Sequence, residues 1–109
     1  MAVIGVKSIT GITSITNAAG GADVLTFHSN NTTERVRIDS SGRLLLGTTT
    51  EGNVNADDLT IANSGEGGIT IRTGASSNGN IFFSDATSGA GEYAGIFDYK
   101  HSSNVMTFG

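Results

Sequence analysis

Cysteine, proline and tryptophan are all missing from this chain of 109 residues. Without cysteine there are no disulfides and no thiolate metal sites, and His28 and His101 are the only imidazole donors. Charge is sparse as well: 6 basic and 10 acidic residues leave a formal net charge of −4. No basic cluster stands out, so no partnership with nucleic acid or an anionic membrane is expected. Apolar runs are short, as in Leu44-Leu45-Leu46, far below the roughly 20 residues of a membrane-spanning helix and too short for the centre of a signal peptide. The opening Met1-Ala2-Val3-Ile4-Gly5 reads as a mature start in the cytoplasm, so a product found outside cells would leave by lysis.

Small residues fill the space. Gly, Ser, Thr and Asn supply 51 positions, whereas Ile, Leu, Val and Phe together supply 26. A chain this short and this poor in large apolar groups buries little surface against the entropy of ordering its backbone. Sixteen glycines deepen that deficit. Domains in this position recruit disulfides, metals or other subunits, and only the last route is open here. Oligomerisation is the expectation.

Helical periodicity is absent, while β-branched residues and turn formers alternate at short intervals. The strand-like pieces are Val24–Phe27, Glu34–Ile38, Arg43–Leu46, Leu59–Ile61, Ile69–Arg72, Ile81–Phe83, Tyr93–Tyr99 and Val105–Phe108. Ser29-Asn30-Asn31 and Asp39-Ser40-Ser41-Gly42 are turns by composition. Around the second turn, Val36 and Ile38 alternate with Arg35 and Arg37, and Leu44 and Leu46 return on the other strand. An apolar edge made of Val36, Ile38, Leu44 and Leu46 cannot cover itself, which makes these four the candidate subunit interface. Tyr93, Phe97 and Tyr99 are expected on one face of a later strand.

The first segment follows another rule. Ser8-Ile9-Thr10, Gly11-Ile12-Thr13 and Ser14-Ile15-Thr16 repeat at period three, which neither a strand nor a helix turns into a single-faced stripe. Two readings stay open: a segment that winds round a threefold partner or docks into another protein, and a bulged Ile/Thr-rich strand pair. On the first, Val3, Ile4, Val6, Ile9, Ile12 and Ile15 are the docking residues. The expected organisation is a leader over 1–22, a hairpin module over 23–56 and a β-rich module over 57–109. Asp23-Val24-Leu25-Thr26-Phe27 is echoed by Asn104-Val105-Met106-Thr107-Phe108, an expectation of a further repeat beyond the last residue.

The stretch Thr33-Glu34-Arg35-Val36-Arg37-Ile38-Asp39-Ser40-Ser41-Gly42-Arg43-Leu44-Leu45-Leu46-Gly47-Thr48-Thr49 resembles a motif of phage tail-fibre and related virion proteins. Gly68–Arg72, Ser76–Gly79, Phe83–Asp85 and Tyr99–Asn104 resemble a module of the same group, in its marine-phage form, and Lys7–Asn17 is similar to its leaders. Together these matches span most of the chain. Two departures stand out: Thr50-Glu51 replaces the Ser-Pro common after the motif, and no large self-cleaving chaperone domain is present. The resemblance implies intertwined homotrimers with strands wound about a threefold axis.

Reactive constellations are weak. Asp57-Asp58 and Asp85 lack the spacing of a calcium loop, Gly65-Glu66-Gly67-Gly68 lacks the Lys-Ser/Thr of a phosphate loop, and no serine sits in a nucleophile elbow. Glu66, Glu92 and Asp98 show no spacing that would set up a hydrolytic acid pair. Three copies of His28 or His101 around an axis, and sugar stacking on Tyr93, Phe97 and Tyr99, are the chemical alternatives to plain packing. The reading is therefore non-enzymatic and cofactor-free: an all-β, short-strand meander assembled into an intertwined trimeric β fibre or β-prism. Its expected partners are two further copies, other capsid or tail proteins, and a host surface receptor. Its expected place is the virion, after assembly in the host cytoplasm. A capsid decoration or head fibre, and less so a fragment of a polysaccharide-degrading tailspike, are the alternatives.

Overall fold

A computed structural model describes Gly5, residues 7–17 and residues 23–109. Seven strands and one short 3-10 helix, with no α-helix among the described residues, make the chain all-β. The strands are β1 (Leu25–Ser29), β2 (Thr33–Ile38), β3 (Leu44–Leu46), β4 (Leu59–Ile61), β5 (Asn78–Phe83), β6 (Gly95–Lys100) and β7 (Val105–Phe108). They form a four-stranded sheet ordered β1-β2-β3-β4 and a three-stranded sheet ordered β5-β6-β7. Contacts divide the chain into compact units Met1–Gly67 and Gly68–Gly109.

In the first unit, turn chemistry sets the register. Asn30 and Asn31 take left-handed backbone angles (φ 53° and 66°) between β1 and β2, a conformation asparagine tolerates better than most residues. Between β2 and β3 the Asp39 carboxylate accepts from the Ser41 and Arg43 amides at 2.9 and 3.0 Å. Gly42 closes that turn at φ +82°, where a side chain would be strained. The ladder of β1 on β2 slips by one residue: Phe27 pairs with Val36, but His28 pairs with Glu34. Arg35 is the extra residue of a β-bulge. The clean alternation read over Glu34–Ile38 therefore breaks at Arg35, and Glu34 moves to the face of Arg37.

The meander ends at β3. The next strand, β4, runs parallel to it, pairing Leu44 with Leu59, Leu45 with Thr60 and Leu46 with Ile61. A parallel neighbour needs a long return, supplied here by residues 47–58. Backbone bonds from the Leu44 amide to the Asp58 carbonyl and from the Ala62 amide to the Leu46 carbonyl fix both ends. This pairing also moves the expected boundary after Ala56. Residues 57–67 belong with the first sheet, and the division falls at Gly67/Gly68.

The second unit is an antiparallel meander. Phe83 of β5 lies opposite Gly95 of β6, and a β-carbon on Gly95 would press on the Phe83 side chain. The β6–β7 turn ends at Asn104 (φ 54°), whose Oδ1 accepts from the Tyr99 hydroxyl at 3.1 Å. Two sequence expectations fail here. Ile69–Arg72 alternates but pairs with no strand and is not a β-element. Tyr93 ends the 3-10 helix Gly89–Tyr93 rather than opening β6, and its ring packs against Phe82, centroids 6.1 Å apart. Phe97 and Tyr99 share a face of β6, whereas Phe82 pairs with Ile96 on the other, so the three-aromatic cluster does not form.

Candidate assembly surface

Strand pairing turns the alternation of single strands into rows. One row runs Phe27–Val36–Leu46–Ile61 across all four strands, and the next runs Leu25–Ile38–Leu44–Leu59. Side chains in register on neighbouring strands point to the same side. Eight apolar side chains thus make one continuous face. The four residues expected at a subunit interface, Val36, Ile38, Leu44 and Leu46, occupy its centre. Leu25, Phe27, Leu59 and Ile61 extend it; their own two-residue alternation was the signal for them.

Among the described residues this face is left largely open, with Leu25 and Val36 half-buried. Phe27, Ile38, Leu44, Leu46, Leu59 and Ile61 are each between 36% and 50% exposed. Among the described residues only one apolar side chain is buried, Leu45, with no exposure at all.

Leu45 belongs to the opposite face, in the row Thr26–Arg37–Leu45–Thr60. That side is polar and held by ion pairs. Arg37 donates to both oxygens of Glu34, at 2.9 and 2.6 Å, a contact made possible by the bulge at Arg35. Arg43 donates to Asp39 at 2.7 Å and to Asp57 at 3.0 Å, and lies 3.5 Å from Glu51. Glu51 and Asp57 both lie on the return segment, so Arg43 ties that segment down. The Gly52 amide, bonded to the Thr60 hydroxyl at 3.0 Å, adds another tie. The hydrogen bonds from Arg37 hold the Glu34 carboxyl below its ordinary range. The Arg43 backbone amide, followed by its guanidinium, does the same for Asp39. Bonds to Glu34 and to Asp39 and Asp57 push the Arg37 and Arg43 guanidiniums up.

Arg35 apart, the charges and the apolar rows are thus segregated by face. The polar face is satisfied within the chain, and the apolar face is not. Arg35, the bulged residue, is spent on a local bond from its Nε to the Ser29 hydroxyl at 2.6 Å.

The other candidates are more scattered. Ile9, Ile12 and Ile15 are exposed at 53%, 51% and 65% in a segment without regular secondary structure. Val3, Ile4 and Val6 lie outside the described residues, as does the boundary expected at 22/23. His28 is exposed beside Glu34 on β1. His101 stacks edge-on against Tyr99 with ring centroids 4.9 Å apart. Among the described residues, no three His, Asp or Glu side chains gather where a metal ion would fit, and no helix is long and apolar enough to cross a membrane. No protein-family model, curated protein or solved structure matches the chain.

Proposed function

We propose that this chain is a structural subunit of a phage virion. It is a homotrimeric module of a tail fibre or other virion fibre, which docks through its N-terminal segment and projects outward to serve host attachment. One observation carries the self-assembling part of this reading: two complete rows of apolar side chains on a four-stranded sheet, largely exposed, with Leu45 the one apolar side chain buried among the described residues. A face of that kind on one chain calls for another. Apart from Arg35, whose Nε bonds to the Ser29 hydroxyl beyond Phe27 on β1, the charged groups lie on the opposite side, so copies meet on the apolar face with little charge to bury. The motif over Thr33–Thr49 supports the virion context and the threefold stoichiometry. In the structure that motif supplies β2, the Asp39 turn, β3 and the start of the return segment.

Light scattering on the purified chain at micromolar concentration tests the assembly; three times 11.1 kDa is the expected mass. A folded species of one-chain mass refutes it. Docking is tested separately by deleting residues 1–17. The truncated chain is expected to keep its assembled mass and to disappear from purified particles, and its continued presence on them refutes the docking role.

A further inference from the structure

Residues 68–109 face the same deficit on their own account, with different side chains. No apolar residue of this unit is buried, although it is roughly at the size of about 40 residues below which a fold needs disulfides, metals or partners. Its three-stranded sheet is nonetheless two-faced. Ile81, Phe97 and Phe108 form one register row and Tyr99 and Met106 the next, with Phe83 alongside. Phe97 and Phe108 meet edge to face at 4.6 Å. The Ile71 methyl group lies over Gly79, in ordinary contact range of where a β-carbon would sit. Between Ile71 and Met106 lies a hollow of about 250 Å³. The strands place no charged side chain on this side. Lys100 and Asp98 fall on the reverse, in register with Asn78 and Asn80.

We infer that this face is a second interface between copies of the chain, separate from the rows of the first sheet. Ile71, Ile81, Phe83, Phe97, Met106 and Phe108 are between 43% and 66% exposed. At about 200 Å² for each large side chain, that leaves roughly 600 Å² of apolar surface. The figure is at the top of what a monomer shows as its largest patch, about 300–600 Å², and close to the roughly 800 Å² per partner of a stable interface. The occupant is a second copy. Asp98 and His101 border the hollow, but the strands bring no charged side chain to the face to attract a foreign partner, and a copy brings the same apolar rows while its acidic surplus stays on other surfaces. The inference rests on the assembly reading above and adds a second point of attachment.

Single-cysteine variants of the full chain test it, with no native thiol to interfere. Met106→Cys and Ile81→Cys report on the face, and Val54→Cys, at a position 80% exposed, is the control. Alkylation by a small haloacetamide is followed across a dilution series, with mass measured by light scattering on the same samples. The expected result is that thiols at 106 and 81 react at least tenfold more slowly in the assembled state, and that this slowing tracks the mass while position 54 reacts at one rate throughout. Equal rates at all three positions in a fully assembled sample overturn this inference and leave the first interface standing. Slow reaction that persists in diluted single chains also overturns it, by showing that the chain covers its own face. A mass that never exceeds one chain ends both proposals.

Discussion

Leu46 sits mid-row on the apolar face, and its replacement separates the cost of folding from the cost of assembly. Full burial of a leucine is worth about 1.5–3 kcal/mol. With 41% of Leu46 still exposed in the single chain, about 1 kcal/mol of that remains to be gained on assembly. Leu46→Ala should forfeit this amount in each copy, about 3 kcal/mol per trimer. Because dissociation of a trimer depends on the square of the concentration, the midpoint for dissociation should rise roughly tenfold, at about 1.4 kcal/mol per decade. Leu46→Glu adds the burial of a carboxylate, which costs far more than a lost methyl group, and should leave single chains at any practical concentration. Sedimentation velocity over a dilution series reads both. An unchanged midpoint for Leu46→Ala, together with normal assembly of Leu46→Glu, would refute the idea that this face is an interface.

The remaining predictions concern the polar side and the turns. Leu45→Ala removes the one apolar side chain buried among the described residues and should cost about 2–5 kcal/mol, seen as a lower urea midpoint by circular dichroism; an unaltered midpoint would mean that Leu45 anchors nothing. Asp39 and Glu34 have carboxyl pKa values lowered by their arginine partners. Their stabilisation is therefore complete above the unfolded values of about 4 and is lost as pH falls through the lower folded values. An acid titration should show stability declining in that window, and Asp39→Asn should flatten the decline. Gly47 has φ +76° and no room for a β-carbon against the Ala62 carbonyl. Gly47→Ala should cost about 2 kcal/mol or more and abolish exchange protection at the Ala62 amide, which persistent protection would contradict.

Some of this structure was plain in the residues. Asp39-Ser40-Ser41-Gly42 between two alternating pieces names a hairpin, and the pairing of Val36 with Leu46 and Ile38 with Leu44 follows from that turn. What escaped depends on contacts distant in sequence. The β4 strand pairs in parallel with its return segment held by Arg43 through Asp57 and Glu51, and no local pattern encodes a return over residues 47–58. The bulge at Arg35 leaves no mark in the alternation, since arginine suits either face of an exposed strand. Ile69–Arg72 has the right pattern for a strand, but a strand exists only where a ladder does. Tyr93 falls in a 3-10 turn because Gly89 and Gly91 let the chain turn tightly just before β6, and an aromatic after such a turn looks like the start of a strand.

The parallel pairing of β3 with β4 also sets an order in time. Strands β1, β2 and β3 are joined by short turns and meet early, because closing a short loop costs little entropy. The β4 strand must wait for the longer segment 47–58 to fold back, and such non-local contacts form late. Leu59 and Ile61 terminate the two apolar rows, so those rows are incomplete until the return is closed. Until then β3 is an open edge and the face lacks a quarter of its side chains. A newly made chain that follows this order offers other copies an open edge and an unfinished face until β4 docks.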